Sequence, residues 1–340
     1  MKILVCQLRN HGDIIRTFPV LDALRELHPN AWIGASCYEE LVSTYQLCSV
    51  LDEVIPQVRL KPPNDDVQLT RIMDCNPLCK SVERVRELAI DVYIDFHGVF
   101  QSALFGLLAN IPVRVGRTQF TARDGAHLFY NKHALIETHE INRMYRHFVT
   151  AQIVFPSLAP FENRINYSSK SLSIIVVPGS SEQGKLKRWH SNKYIELIKR
   201  LAESTSKKIF VAFDPSESEL IDQIMPQLSD RAKAIIPSSL GEYLHYFENC
   251  QCVIGNDCAP LHLAVWKRIP TFMILGPSPP AVNAPWTFNT SGWIGGFPNC
   301  AACDFWKLIC VSNHQCMEKL SVDEVYSAVS VFLEKIGDAV

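Results

Sequence analysis

A chain of 340 residues is too long for one ordinary hydrophobic core, so two domains are expected. Its 47% hydrophobic and 20% charged residues are those of a globular protein, and 33 basic against 35 acidic residues (net charge −2) exclude a polybasic nucleic-acid binder while leaving room for a local basic face. The start runs from Met1-Lys2 straight into a strand-like segment, so neither a signal peptide nor a membrane span is expected, and the twelve cysteines read as thiols in a reducing cytoplasm.

In chain order, short apolar runs alternate with amphipathic stretches. Strands are predicted over 2–6 (KILVC), 31–36, 52–55, 91–95 and 112–115, with helices near 14–27, 38–47, 80–89 and 99–109. Residues 60–80, with KPPNDD, read as an insertion or long loop. Periodicity fails over 155–172, a Pro-, Ser- and Asn-rich stretch that reads as the join between domains 1–160 and 161–340. The rhythm then restarts. Strands are predicted over 173–178, 208–213, 252–255 and 271–275, with helices near 191–204, 216–226, 239–249, 259–268 and 321–336. Such alternation gives parallel sheets covered on both faces, hence an α/β class with two Rossmann-like domains. Ligands of open α/β sheets bind beyond the carboxyl ends of the strands, so functional residues are expected on strand-to-helix turns.

Three turns carry chemistry. The first, RNHGDIIRTFP (9–19), has one glycine, Gly12, with Asp13 beside it where a phosphate loop would carry more glycines. The second is PGSSEQGKLKRW (178–189), where Ser180 and Ser181 precede a basic segment containing Lys187; short donors and one cation suit a diphosphate. Its plain alternative is a solvated basic loop. The third, CVIGNDCAPLHLA (252–264), places Pro260 in the first turn of a helix whose leading amides form an anion site. There the plain alternative is that Asp257 caps the helix and His262 packs beside it. A fourth feature is the tail series Cys300-x2-Cys303-x6-Cys310-x5-Cys316, four thiols suited to a structural zinc or iron or else an ordinary reduced cluster. G-x-G-x-x-G is missing after the first strand, which removes the case for a dinucleotide oxidoreductase.

Taken in order, GDIIRTFPVLDALRE, VYIDFHGVFQSAL, PGSS…KRW, GNDCAPLHLAV…TFMILGPSPP and the cysteine-rich tail resemble the ADP-heptose:lipopolysaccharide heptosyltransferases of glycosyltransferase family 9, over nearly the whole chain. The resemblance implies a GT-B architecture with two domains facing a cleft, the acceptor on the N-terminal one and the nucleotide-sugar donor on the C-terminal one. It implies an inverting transfer of heptose from ADP-heptose to a lipopolysaccharide core acceptor, without a catalytic cofactor. Asp13 becomes the general base, its rival role being a helix cap. Lys187 becomes the cation that neutralises the departing diphosphate, with Ser180, Ser181, Asn256, Asp257, Cys258, Ala259 and His262 around the donor. Glu217, or neighbouring Glu219, is a candidate for the ribose hydroxyls. The family has Thr or Ser, then Gly, after the aspartate, and Cys258-Ala259 departs from this; the backbone amides survive the change. Gly12, Arg16, His97, Arg114, Arg123 and Arg143 are candidates for an anionic acceptor. Some relatives that glycosylate autotransporter proteins hold iron at similar tail cysteines. The expected setting is cytoplasmic, at the inner face of the inner membrane. Another nucleotide sugar, a protein acceptor, or a two-lobed sugar-binding protein without turnover are the alternatives.

Overall fold

The computed structural model describes residues 1–59, 76–160, 173–286, 291–296, 303, 309–310 and 312–337. The chain divides into two compact units, Met1–Phe161 and Glu162–Val340.

The first unit runs β1 (Lys2–Cys6), α1 (His11–Ile15), α2 (Phe18–Leu27), β2 (Trp32–Tyr38), α3 (Val42–Tyr45), β3 (Glu53–Gln57), α4 (Asn76–Leu88), β4 (Val92–Asp95), α5 (Phe100–Leu108), β5 (Val113–Arg117), β6 (Lys132–Ala134) and α6 (Arg143–Gln152). Its strands form one parallel sheet, β3-β2-β1-β4-β5-β6. Ile3, Leu4, Val5 and Cys6 of β1 are fully buried because helices cover both faces. Truncating such a side chain to alanine costs about 2–5 kcal/mol.

The second unit repeats the plan with β7 (Ser173–Val177), α7 (Ser191–Ser204), β8 (Lys208–Ala212), α8 (Ser218–Ile224), β9 (Ala232–Ile235), α9 (Leu240–Phe247), β10 (Cys250–Asn256), α10 (Ala259–Trp266), β11 (Thr271–Leu275), α11 (Pro280–Asn283), β12 (Ser291–Gly295), α12 (Gln315–Glu318) and α13 (Val322–Lys335). Its parallel order is β12-β11-β10-β7-β8-β9. The last helix starts on a capping box in which the Ser321 hydroxyl accepts the Glu324 amide at 3.2 Å and Glu324 accepts the Ser321 amide at 2.9 Å. It packs Val325, Val329, Phe332 and Leu333 into the core of the second unit. Both sheets reverse direction beside their first strand, at β1/β4 and at β7/β10. That switch point is where ligands of doubly wound sheets bind.

Some boundaries differ from those read in the sequence. The helix expected over 14–27 is two, α1 and α2, because Pro19 stands in the first turn of α2 and lacks the amide a continuous helix would need. The helix expected over 38–47 is a short 3-10 turn and the single turn α3. Six elements, β6, α6, β9, α11, β12 and α12, were not anticipated. Two of the three β6 residues are exposed, and β9 buries only its end residues, so neither carries a continuous apolar run. The buried face of α6 includes His147 and Thr150, which hides its helical stripe.

Candidate active site

In the first unit, the chain leaves β1 through Gln7–Asn10 and turns into α1. Asn10 has φ +63°, a left-handed conformation that asparagine tolerates better than most residues. Its carbonyl accepts the amides of Asp13 and Ile14, and its side chain donates to Asp13 Oδ2 at 3.0 Å. Asp13 is the third residue of α1 and makes no cap. Its Oδ1 accepts Arg16 at 3.0 Å and also Arg143, which opens α6. Burial alone would oppose the carboxylate, but Arg143, then Arg16 and Asn10, hold the Asp13 carboxyl well below the usual carboxylate range.

The neighbouring turn, after β4, brings His97 to the same place. Asp95 is fully buried; its Oδ1 accepts the amides of His97 and Gly98 at 2.9 Å each, and its Oδ2 accepts Ser102 and Tyr130 hydroxyls at 2.6 Å each. Gly98 has φ +67°, and a Cβ there would strike the Arg117 guanidinium, which donates to the His97 carbonyl. His97 Nδ1 accepts the Leu8 amide at 3.0 Å, so the proton of this ring sits on Nε2. Burial, then Arg9, pushes the His97 pKa down to about 3. It is therefore a neutral donor at physiological pH.

The structure thus brings together Gly12, Asp13, Arg16, His97 and Arg143. Arg123 is exposed; its amide bonds the Gly98 carbonyl, and its charge acts on His97. Arg114 lies elsewhere. Near the start of β5, it donates to the carbonyls of Ile111 and Phe129. Asn10, Arg117 and Arg146 were missed. Arg117 ends a parallel strand, a position that the general rule for α/β sheets could have singled out.

In the second unit, β7 and β10 place PGSS and NDCA side by side. Asn256 is fully buried: its Oδ1 accepts the Trp189 amide at 3.0 Å and the Tyr194 hydroxyl at 2.9 Å, and its Nδ2 donates to the Pro178 carbonyl at 2.7 Å. It ties the two turns together. Glu217 has a similar supporting place, accepting the Ser180 amide at 2.9 Å, the Asp214 amide at 2.9 Å and Arg188 at 2.6 Å. The Ser180 hydroxyl accepts Arg188 Nε at 3.0 Å, while Ser181 is exposed.

Asp257 is the hub. Its Oδ2 accepts Lys187 Nζ and the Ser278 hydroxyl, both at 2.8 Å, and its Oδ1 lies 2.8 Å from His262 Nε2. The Asp257 side chain is 3% exposed and that of Lys187 is 27%, so the cation is the outer member of the pair. Asp257 does not cap α10; Cys258 is the capping residue, and its thiol makes no cap bond. Desolvation pushes the Cys258 thiol up to about 12, so it stays uncharged beside the amides of the α10 start. Ser278, on the turn after β11, escaped the sequence reading although its GPSPP segment had been singled out.

Of the four tail cysteines, Cys300 lies outside the described residues. Cys316 is buried at the start of α12 in the core of the second unit. Cys303 and Cys310 are adjacent, and the Cys310 sulfur accepts the His314 amide at 3.2 Å from a turn whose Asn313 and His314 are left-handed. Burial opposes the thiolate, but the amides of His314 and Ser312 and the Cys303 side chain together hold the Cys310 pKa below the ordinary thiol value. Amides aimed at sulfur and a lowered thiol pKa suit a metal-ligating cysteine. Among the described residues, no three His, Cys, Asp or Glu side chains converge as a metal site.

A family model described as glycosyltransferase family 9 (heptosyltransferase) matches residues 78–304. A lipooligosaccharide heptosyltransferase 2 of Campylobacter jejuni is 22% identical over 342 residues, 97% of this chain and 98% of the relative. The solved structure of E. coli ADP-heptose LPS heptosyltransferase II is similar at a TM-score of 0.73 and 19% identity, over 98% of this chain and 99% of that one. The iron-containing dodecameric glycosyltransferase TibC of enterotoxigenic E. coli is similar at a TM-score of 0.57 and 13% identity, over 98% of this chain and 76% of that one. The chain belongs to glycosyltransferase family 9 and has the GT-B fold of two Rossmann-like units. The matched segment includes Lys187 and Asp257; Asp13 lies before it.

Proposed function

With family membership as premise, we propose that this transferase moves a heptose from ADP-heptose to a hydroxyl of a lipooligosaccharide inner-core acceptor, inverting the anomeric carbon, with Asp13 as general base. The observation that carries the reading is the Lys187–Asp257 pair at the start of α10. A diphosphate there meets the Lys187 ammonium, the amides of Cys258 and Ala259, and the small Gly179–Ser181 turn. The relatives support the donor and acceptor classes, since one is named for ADP-heptose and another for lipooligosaccharide.

In this reading the first unit binds the acceptor and the second the donor. The acceptor oxygen forms its bond to the anomeric carbon as its proton passes to an Asp13 oxygen, and the bond from that carbon to the diphosphate oxygen breaks. Negative charge grows on the departing ADP. Lys187 and the α10 amides stabilise it, the task a divalent cation performs in metal-dependent transferases. Asp257 holds Lys187 in place through a deeply buried contact, and His262 and Ser278 fix the Asp257 carboxylate in turn. His97 offers its Nε2–H to the acceptor. The enzyme acts in the cytoplasm on an acceptor presented at the inner membrane, and no helix among the described residues is long and apolar enough to cross a membrane. A structural metal held by Cys303 and Cys310 belongs to the same reading; Cys316, buried in the core of the second unit, does not converge with them.

A thermal-shift titration with ADP, UDP and GDP tests it, because stabilisation follows ligand concentration by mass action. ADP should stabilise most. Equal or greater stabilisation by UDP would count against an ADP-sugar donor, and transfer to polypeptide in place of glycan would replace the acceptor.

A further inference from the structure

The Asp13 carboxylate is held in a state that resists protonation. Arg16 and Arg143 both donate to Oδ1, and Asn10 donates to Oδ2. Two guanidiniums on one oxygen stabilise the charged form and weaken the base. They are not equivalent. The Arg16 side chain is 7% exposed and belongs to the end of α1 itself, whereas that of Arg143 is 34% exposed and comes from α6, 130 residues away. Arg143 is the one that can leave.

There is somewhere for it to go. Arg146 follows one turn later on α6, and its Nε is buried without a hydrogen-bond partner, as is that of Arg117. Burial, then repulsion from Arg117 and Arg143, pushes the Arg146 pKa down to about 9. Asp95 acts on Arg117 and Asp13 on Arg146, and both Asp95 oxygens are already held by the His97 and Gly98 amides and the Ser102 and Tyr130 hydroxyls. Among these described residues the guanidiniums of Arg16, Arg117, Arg143 and Arg146 outnumber the carboxylates of Asp13 and Asp95, and two of the guanidiniums keep an unpaired buried Nε, which is the chemistry of an anion site.

We infer that Arg143 is an acceptor-operated latch: a carboxylate or phosphate on the acceptor, beside the hydroxyl to be attacked, takes Arg143 over together with Arg117 and Arg146, and Asp13 is released to accept the hydroxyl proton. The inference rests on Asp13 being the base. It makes Arg143 a specificity-determining residue. A neutral acceptor leaves the latch closed, so discrimination between acidic and neutral acceptors falls on turnover as well as on binding.

The test compares wild type and Arg143→Gln with ADP-heptose and three matched glycan acceptors carrying a carboxylate, a phosphate monoester or the neutral methyl ester at one position. The wild type should turn over one anionic acceptor far better than the neutral one, and which one identifies the anion. In Arg143→Gln the anionic acceptor should lose rate while the neutral acceptor gains about tenfold or more, part of the ~10²–10⁴ that general-base assistance supplies. Its free-enzyme acid limb should also move up in pH, toward the ordinary carboxylate value near about 4. Arg9, Arg16, Arg117, Arg123, Arg146 and His97 remain around Asp13 in that variant, so the move is partial. Arg143→Lys, which keeps the charge, should restore the preference, and an unchanged cooperative thermal melt of the whole chain shows that each variant is folded.

A loss on anionic acceptors with no gain on the neutral one makes Arg143 a binding residue only and overturns the latch. If no acceptor of the three is used, slow hydrolysis of ADP-heptose is read instead: inorganic phosphate should accelerate it in wild type and not in Arg143→Gln, and equal response overturns the proposal. Asp13→Asn separates the two readings. An active Asp13→Asn enzyme removes the base itself, whereas an inactive one beside an unresponsive Arg143→Gln removes only the latch.

Discussion

The two switch points share one topology but arrange their charges differently. At β1/β4 the Asp13 carboxylate, 16% exposed, lies between two guanidiniums, the deeper Arg16 at 7% and the outer Arg143 at 34%. At β7/β10 the carboxylate, Asp257, is the deep member, and Lys187 stands outside it. A doubly wound sheet delivers a strand-to-helix turn to the same place in each unit. What that turn offers a ligand then depends on how the charges are shared: two guanidiniums hold one carboxylate at Asp13, and one carboxylate holds one ammonium at Lys187. Buried partners of opposite sign keep each group in position, since an uncompensated charge is costly away from water.

The sharpest way to break this comparison is Asp13→Asn. The amide keeps the shape but cannot take the proton, so transfer should fall ~10²–10⁴-fold. Thermal stabilisation by ADP should be unchanged, because every group assigned to ADP lies in the second unit. Near-normal turnover would reduce Asp13 to an anchor for Arg16 and Arg143.

Next in size is Lys187→Ala. Removing one electrostatic stabiliser of the leaving group costs on the order of 3 kcal/mol, or about 10²-fold in rate, and ADP affinity should drop with it. The variant also takes the ammonium away from the buried Asp257 carboxylate, so its melting temperature should fall. Steady-state kinetics with both substrates decides the matter: an effect confined to the acceptor KM would put this lysine in the wrong role.

Acid stability sharpens the contrast. The folded-state pKa of Asp13 is depressed, so its contribution is fully present above the unfolded value of about 4 and is lost as pH falls toward the folded value. Urea midpoints of wild type and Asp13→Asn should therefore differ most near neutrality and converge below about pH 4. A difference that grows on acidification would contradict the ion pairs seen at Oδ1.

The smallest catalytic effect is expected at Cys303→Ser. Metal content by elemental analysis and melting temperature should both decline, with activity falling only as far as folding does. A metal-free protein of full stability would make Cys303 and Cys310 an ordinary thiol pair.

Much of this was written locally. Continuous apolar runs such as KILVC and SIIVV can only be strands covered on both faces, and the helices between them force parallel pairing. Asp13, Lys187 and Asp257 could be singled out because they sit on short turns after such runs. Asn256 and Glu217, in contrast, stand in the same kind of turn yet hold the loops together, and nothing in their neighbouring residues separates support from contact. Nor did periodicity mark α6, whose inward face carries His147 and Thr150 among its apolar residues. The sequence by itself determined the two α/β series and the turns that bear the candidate residues, because those follow from spacing over a few residues. Only the tertiary structure decided strand order, and with it which turns are neighbours. It also brought Arg143 to Asp13 across 130 residues and left Lys187 outside Asp257, because charge pairing depends on distance in space and on desolvation, neither of which local sequence encodes.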